Sequence, residues 1–488
     1  MLINFTVANF KSFSEKQDFT MEADTGVSEL PGNLVQPEPR NFQYIKTAVI
    51  YGSNASGKTN LIKAMNVVKR NVLRSKRTDE YDAVDRVDPF RLDEDLRDGP
   101  TEFEFEVLLG EDRYRYTLHA TRDRVIYEHF EHTMESRHSW ATVFERPSAE
   151  SDEITQFGNK YAKKTQQDQV NDTTTATRLM LGAASAANIK HASKLSQWFN
   201  SGLAYYDFHR NSRAEEELHR SLGRWLPRNE SSEVVQFMKL ARQADVGISG
   251  VIFESEMPRD PDARQMDLLV GQLDDPNHPA RRIADEEEDV LLQYKKWQQW
   301  VGELKQETYQ SRHAGLRFTH RNEKTGEDID FALSQESSGT RRFFTLLYLL
   351  FRGNEKGQSQ TLLIDEFGSS LTPELTHRLI RMAQSPEINR SGTQLIFTTH
   401  DRSLLDEPNL LRRDQVWITQ KELHGGTDLY RLSDFSAEDI RKDRPWGRQF
   451  ATGKFGGVPE FGPELDVIPL PTEPQVLPLF EEIRHGKK

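Results

Sequence analysis

The most informative segment of this chain reads Gly52-Ser53-Asn54-Ala55-Ser56-Gly57-Lys58-Thr59. It matches the pattern G-x-x-x-x-G-K-[ST], follows an apolar run typical of a buried parallel strand (residues 48–51), and precedes a helical pattern. The glycines let backbone N–H groups surround a polyphosphate, whose charge the helix dipole attracts. The segment therefore predicts a phosphate-binding loop in which Lys58 reaches the β- and γ-phosphates and the Thr59 hydroxyl binds Mg²⁺.

Two more apolar, strand-like segments end in polar side chains. Residues 361–364 are followed by Asp365 and Glu366, and residues 394–399 are followed by His400. Asp365 is predicted to hold Mg²⁺ through water, and Glu366 to deprotonate the water that attacks the γ-phosphate. His400 is predicted to hydrogen-bond the γ-phosphate or that water. The alternative for each is a structural role at a strand end.

A group of small residues lies just before the apolar helical segment that starts at Phe343. It contains Ser337, Ser338 and Gly339. At the start of a helix, such residues form a nest of backbone N–H groups that binds anions. An ordinary serine N-cap is the alternative interpretation.

Length and composition limit the classes of protein to consider. The chain has 488 residues, no cysteine and a formal net charge of −13. This length indicates a large core with an insertion, or several domains, and the lack of cysteine excludes disulfides and thiolate zinc sites. The longest apolar stretch, residues 343–351, is far shorter than the roughly 20 residues that span a bilayer. With no secretion signal evident at its start, we expect a cytoplasmic protein without membrane contact.

The middle of the chain has a helical pattern. Apolar residues recur at helical spacing at Leu195, Trp198, Phe199 and Leu203, and again at Val290, Tyr294, Trp297, Val301 and Leu304. The second series lasts only about two heptads, which favours a packed helical hairpin over a coiled coil.

The order of phosphate loop, nest, carboxylate pair and histidine resembles an ABC-type ATPase head of the SMC and RecF kind. Within that group, the chain is most similar to the AAA-type ATPases of bacterial anti-phage defence operons. The same resemblance is carried by residues 7–13, 336–340, 365–373, 398–401 and 453–459. It implies an α/β fold, in which a P-loop NTPase head of the ABC type is split by a mainly helical insertion.

The resemblance also implies a division of the chain into four parts. Residues 1–155 would form the N-terminal lobe with the phosphate loop, and residues 156–310 a helical insertion that acts as a lid, dimer contact or partner-binding unit. Residues 311–450 would form the C-terminal lobe with the nest, the carboxylates and the histidine. Residues 451–488 would be a C-terminal extension.

A further implication is that ATP and Mg²⁺ lie between two chains, in a homodimer or higher oligomer. One chain would bind ATP through residues 52–59 and Asn60, and the other would cap it with Ser337, Ser338 and Gly339. Lys58, Glu366 and His400 would be catalytic, while Thr59 and Asp365 would hold the metal. Hydrolysis would then release the dimer.

The resemblance implies a separate effector as well. ATPases of PARIS and Septu systems work with nucleases of the Toprim or HNH type, whereas overcoming-lysogenisation-defect proteins fuse a Toprim nuclease to a similar head. Only 88 residues follow His400 here, too few for such a nuclease. We therefore expect a separate nuclease or toxin subunit. A RecF-like DNA-repair clamp and a non-hydrolysing ATP-bound scaffold remain alternatives.

Two departures from the family pattern suggest slow or partner-dependent hydrolysis. No glutamine lies between Gln43 and Gln156, so the Gln-loop contact expected near residues 90–92 is unassigned. Thr372 replaces the aspartate of the D-loop, the segment that follows the carboxylate pair.

Double-stranded DNA is a candidate ligand because basic residues cluster twice. The clusters are Lys69, Arg70, Arg74, Lys76 and Arg77, and Lys160, Lys163 and Lys164. Cations also suit the last turn of a helix, so a solvated helix end is the alternative.

Overall fold

The computed structural model describes most of the chain. The described residues are 1–37, 42–77, 84–134, 139–147, 155–208, 212–225, 232–242, 248–253, 316–322, 324–355, 359–436 and 445–458. The predicted helical series from Val290 to Leu304 lies outside these residues.

The described residues form 18 strands and 11 α-helices, and strands and helices alternate only from β14 to β17. The strands are β1 (Leu2–Ala8), β2 (Gln17–Thr20), β3 (Leu34–Val35), β4 (Tyr44–Ile45), β5 (Thr47–Gly52), β6 (Thr101–Leu109), β7 (Asp112–Ala120), β8 (Val125–Met134), β9 (Ala141–Arg146), β10 (Gln156–Phe157), β11 (Leu203–Asp207), β12 (Ile248–Phe253), β13 (Leu316–Arg321), β14 (Asp328–Ala332), β15 (Thr361–Asp365), β16 (Gln394–Thr398), β17 (Val416–Lys421) and β18 (Thr427–Arg431). The α-helices are α1 (Lys58–Arg74), α2 (Glu94–Asp98), α3 (Lys164–Thr173), α4 (Met180–Ala186), α5 (Lys190–Gln197), α6 (Ser212–Trp225), α7 (Ser232–Ala241), α8 (Ser338–Glu355), α9 (Pro373–Gln384), α10 (Ser403–Asp406) and α11 (Trp446–Ala451).

A central sheet of six described strands has the order β11-β15-β16-β5-β17-β18. The first five strands run parallel and β18 pairs antiparallel with β17. Strands β15 and β16 are buried at every residue, because helices and a second sheet cover both faces. Parallel pairing brings the carboxyl ends of these strands to one edge, which is where α/β sheets bind their ligands.

The second sheet is antiparallel, with the order β10-β9-β8-β7-β6-β1-β2. Helix α1 lies between the two sheets, and its apolar face packs into a core that includes Phe5, Phe105 and Tyr116. Helices α4 and α5 pack into the same core. A separate core on the other face of the central sheet contains residues of α6, α7, α8 and α9. Helix α1, which follows the phosphate loop, is therefore held between the central sheet and the antiparallel sheet.

The structure confirms the predicted α/β class and most of the predicted elements. The strands predicted at residues 48–51, 361–364 and 394–399 form as β5, β15 and β16.

One prediction in the middle region is wrong. Leu195 lies in α5 and Trp198 and Phe199 lie in the π-helix Trp198–Gly202, but Leu203 begins a strand instead of continuing the helix. Strand β11 pairs in parallel with β15, so residues 203–207 of the predicted insertion belong to the central sheet. Pairing with a buried strand overrides the local helical spacing.

Candidate nucleotide site

The segment of residues 52–59 is a tight loop between β5 and α1, and neighbouring strands hold it in place. Gly52 has φ 154° and Gly57 has φ 110°, and a Cβ on Gly52 would lie 2.3 Å from Thr419 Oγ1. The buried Ser56 hydroxyl lies 2.6 Å from Thr419 Oγ1, and the Thr427 hydroxyl donates to the Ser56 carbonyl at 2.9 Å. Only glycine fits at the first position, and β17 and β18 fix the shape of the loop.

Lys58 lies at the start of α1 and its ammonium group turns back onto the loop. Its Nζ donates to the carbonyl oxygens of Gly52 at 2.8 Å and Ser53 at 2.9 Å. Burial lowers the Lys58 pKa to about 8, although Asp365 and Glu366 act in the opposite direction. A bound phosphate would supply the negative charge that this half-desolvated ammonium lacks.

Oxygen atoms from three elements meet beside Lys58. The Thr59 hydroxyl donates to Asp365 Oδ1 at 3.1 Å, and the Thr398 hydroxyl donates to the same oxygen at 2.6 Å. Asp365 ends β15, which lies beside β16 in the central sheet. Carboxylate and hydroxyl oxygens are the ligands that Mg²⁺ prefers, so Thr59 and Asp365 suit that ion.

Glu366 and His400 follow the ends of β15 and β16, as the sequence predicts. Glu366 has φ 53°, and its backbone N–H donates to Thr398 Oγ1 at 2.8 Å. The side chain of His400 reaches solvent. Partial desolvation and the nearby Lys58 lower the His400 pKa, opposed by Glu366 and Asp365. The neutral imidazole is therefore favoured at neutral pH, with one donor and one acceptor.

Sequence reasoning missed two polar residues at this edge. Thr398 supplies the hydrogen bonds just described to Asp365 and Glu366. Asp207, at the end of β11, is the register partner of Asp365 and so lies level with it. The signal for Asp207 was an apolar run that ends in a carboxylate, but the helical spacing before it obscured the strand.

A cavity of about 590 Å³ opens beside the phosphate loop. It is lined by Lys11, Ser12, Ala55, Ser56, Gly57, Lys58, Thr59, Asn60, Asp88, Pro89, Phe90, Arg91, Leu92, Lys421 and Gly425. The Asn60 side chain donates to Ser12 Oγ at 2.9 Å, and Lys11 pairs with Asp88 at 2.7 Å. Residues 90–92, where the family pattern places the Gln loop, thus line a cavity that has room for the rest of a nucleotide. The polar group beside Asp365 comes from Asp207 on β11.

The segment containing Ser337, Ser338 and Gly339 has a different environment. Ser337 and Ser338 are exposed, and Ser337 Oγ accepts a hydrogen bond from the Thr340 backbone N–H at 3.0 Å. A Cβ on Gly339 would lie 2.6 Å from the Ser370 carbonyl oxygen, so this glycine packs against the segment after the carboxylate pair. Ser337 therefore caps α8, and the side chains of Ser337 and Ser338 at this helix start are exposed.

Thr372 also acts as a helix cap. Its hydroxyl accepts a hydrogen bond from the Leu375 backbone N–H at the start of α9. The threonine at this D-loop position thus has a local structural role, because it satisfies a backbone donor that has no partner within the helix.

Several of the basic residues considered for DNA binding have partners within the chain. Lys69 donates to the Leu203 carbonyl, and burial lowers its pKa to about 8. Arg70 pairs with Asp85 at 2.7 Å, and Lys164 pairs with Asp168 at 3.0 Å. These contacts give the three side chains partners within the chain, and they favour local roles over a basic groove.

Among the described helices, none has the length and apolar character needed to cross a membrane.

Comparisons with known proteins give one family match. Residues 48–406 match a family model described as "AAA domain, putative AbiEii toxin, Type IV TA system". No curated protein sequence matches the chain. Similar solved structures include the SMC head domain from Thermotoga maritima, with 12% identity, a TM-score of 0.37, and coverage of 88% of this chain and 98% of that one.

Two structures of the recombination mediator protein RecF in the RecFOR pathway are also similar. The RecF-ATPrS structure has 14% identity, a TM-score of 0.22, and coverage of 88% of this chain and 98% of that one. The RecF-ATP structure has 12% identity, a TM-score of 0.27, and coverage of 88% and 97%. These scores are low, and the assignment rests on the family model. Because that model spans the region from β5 to α10, well over half of the chain, the protein belongs to this AAA-domain family.

Proposed function

We propose that the protein binds ATP with Mg²⁺, dimerises through its two ATP sites, and hydrolyses ATP as a switch that controls a separate effector. The observation that carries this proposal is the contact between Thr59 and Asp365, 306 positions apart in the chain and 3.1 Å apart in space. A glycine loop, a lysine, a hydroxyl and a strand-end carboxylate gathered at one sheet edge form the recurring parts of a P-loop NTPase site.

The phosphates of ATP would lie along the loop. Backbone N–H groups at the start of α1 and the Lys58 ammonium would bind them, and Lys58 would exchange its carbonyl partners for phosphate oxygens. Thr59 and Asp365 would hold Mg²⁺, which would neutralise charge on the β- and γ-phosphates. The cavity that includes Phe90 and Lys421 has room for the nucleoside.

Hydrolysis needs a base and a group that stabilises the reacting phosphate. Glu366 follows directly after Asp365, so its carboxylate would orient and deprotonate the attacking water. His400, in its neutral form, would donate a hydrogen bond to the γ-phosphate or to that water. The positions of Glu366 and His400 would both depend on the γ-phosphate, which ATP has and ADP lacks, and this suits a switch that distinguishes the two nucleotides.

Dimer formation is supported by the exposed start of α8. The residues that line the phosphate-loop cavity do not include Ser337, Ser338 or Gly339, and the side chains of Ser337 and Ser338 are exposed. A second chain in head-to-tail arrangement would place this nest against the γ-phosphate of the first. ATP would then join the two chains, and hydrolysis would separate them.

The family description bears on the kind of system in which the protein would act. It names a putative toxin of a type IV toxin–antitoxin system, which supports a role in a system with a toxic activity. We propose a nuclease or toxin encoded separately, in bacterial defence against phage. The partners of Lys69 and Arg70 within the chain give less support to a RecF-like DNA clamp.

Three measurements test the proposal. Purified protein with ATP and Mg²⁺ should release phosphate and should form a dimer by light scattering, whereas ADP should leave a monomer. A native pull-down from the source cells should recover one effector subunit with it. No nucleotide binding would contradict the site assignment, and a dimer that ignores ATP would contradict the switch.

A further inference from the structure

A second cluster of polar side chains lies at one end of the seven-stranded sheet, outside the nucleotide site. Asp112 begins β7, His132 lies near the end of β8, and His191 lies in the first turn of α5. One potential ligand atom from each of these residues lies within 4.8 Å of those of the other two. The nucleotide site uses none of them.

We propose that Asp112, His132 and His191 bind a divalent transition-metal ion of the zinc class. Two imidazoles and one carboxylate are a common donor set for Zn²⁺, and water completes the coordination. Because the chain has no cysteine, a site of this class must use nitrogen and oxygen donors. Such a set binds zinc-class ions in preference to Mg²⁺, which favours oxygen alone.

Two tyrosines position the imidazole rings. Tyr161 Oη lies 3.2 Å from His132 Nδ1, and Tyr114 Oη lies 3.0 Å from His191 Nδ1. The contact with Tyr114 leaves Nε2 of His191 for the ion. At His132 the ion would replace the proton that joins Nε2 to Asp112 Oδ1, two atoms that lie 2.8 Å apart. Hydrogen bonds to the second nitrogen of a ligating histidine fix its tautomer and orientation in known metal sites.

Lys194 is the competitor for the ion. Its ammonium donates to Asp112 Oδ2, and its side chain is 40% exposed. A bound cation would repel this ammonium into solvent, where it has room to move. Without Lys194, ion binding would therefore become tighter, a result that a simple hydrogen-bonded network does not predict.

The ion would link two parts of the chain that are distant in sequence. It would join the β7–β8 hairpin to α5, which continues through the π-helix Trp198–Gly202 into β11. A metal at this place would stabilise the packing of α5 on the antiparallel sheet.

The experiment uses the full chain, stripped of metal and kept in excess Mg²⁺ so that the nucleotide site is saturated. Zn²⁺ binding is measured by calorimetry, and Co²⁺ serves as a spectroscopic probe of coordination by nitrogen. One ion should bind per chain. Asp112→Asn and His191→Gln should weaken binding by more than about 100-fold, Tyr161→Phe by about 10-fold, and Lys194→Met should strengthen it severalfold.

His129→Gln is the matched control, because His129 lies on β8, the strand that carries His132, and its ring is similarly half-buried. It should leave Zn²⁺ binding unchanged. The proposal fails if wild-type protein binds no Zn²⁺, or if His129→Gln weakens binding as much as His191→Gln does. It also fails if Lys194→Met has no effect on affinity while its melting temperature shows that it is folded.

Discussion

The candidate ATP site has two halves, the phosphate loop with its strand-end carboxylate and the nest at the start of α8. They differ in how far contacts within the same chain hold their side chains in place. Ser56, Lys58, Asp365 and Thr398 are all buried, and each has hydrogen-bond partners within the head. The nest around Ser337, by contrast, is exposed.

Under the proposed function, this difference would separate the groups supplied by one chain from those supplied by a second copy. Polar groups that hold phosphate and metal must be arranged before the ligand arrives, so the chain satisfies them internally and keeps them rigid. The start of α8 carries backbone N–H groups that Ser337 caps only in part, since one side chain cannot satisfy every free donor of a first turn. We infer that the ligand for the remaining donors is the ATP bound to a second copy. The predictions below test this division, beginning with the largest effect.

Glu366→Gln should lower the rate of hydrolysis by about 10²–10⁴-fold, because the amide cannot accept the proton of the attacking water. ATP binding should persist, so the protein should accumulate as an ATP-bound dimer. Phosphate release and light scattering measure the two effects. Glu374→Gln is the matched control, an exposed glutamate in the first turn of α9, and should behave as wild type. An unchanged hydrolysis rate in Glu366→Gln would favour the non-hydrolysing scaffold.

A mixing experiment tests whether the two halves come from different chains. Lys58→Ala removes the phosphate half and Ser337→Arg blocks the nest, so each variant alone should lose ATP-dependent dimerisation and hydrolysis. A mixture contains heterodimers with one intact site, formed by Lys58 of one chain and Ser337 of the other. Because neither variant pairs with itself and each heterodimer has one intact site of two, up to about one half of wild-type activity should return on mixing. If mixing restores nothing while Ser337→Arg still binds ATP as a monomer, the composite site is wrong.

Nucleotide affinity should depend on pH through Lys58. Its pKa in the free protein is about 8, and a bound polyphosphate favours the protonated form. Binding should therefore be constant below pH 8 and weaken by up to about tenfold per pH unit above it, because the proton must then be taken up on binding. Equilibrium titrations with labelled nucleotide between pH 7 and pH 10 measure this slope.

The matched variant is Lys58→Arg, whose guanidinium stays charged over this range. Its affinity should show no such slope, whatever its absolute value. A slope that persists in Lys58→Arg would assign the pH dependence to another group.

The sequence predicts the phosphate half of the candidate ATP site more closely than it predicts the nest around Ser337. Strands β5, β15 and β16 could be located closely because strands buried on both faces are continuously apolar. Their order in the sheet cannot be read from such a pattern, and for that reason the positions of Thr398 and Asp207 beside Asp365 were missed. Leu203 was predicted as helical from spacing alone, but its pairing with Thr361 is a long-range contact. The exposure of Ser337 and Ser338 likewise depends on how α8 packs, which only the structure reveals.

The smallest expected effect concerns the internal support of the phosphate half. Thr398→Val keeps the volume of the side chain but removes the hydroxyl that donates to Asp365 and accepts from the Glu366 N–H. Because one of these partners is a carboxylate, the free energy of unfolding should fall by about 2 kcal/mol, measured by urea denaturation. Thr376→Val is the control, since this buried hydroxyl donates only to the neutral Thr372 carbonyl, and it should cost about 1 kcal/mol. If both variants lose the same stability, the Thr398 hydroxyl contributes no more than a hydrogen bond to a neutral partner, and the arrangement of Asp365 must depend on Thr59.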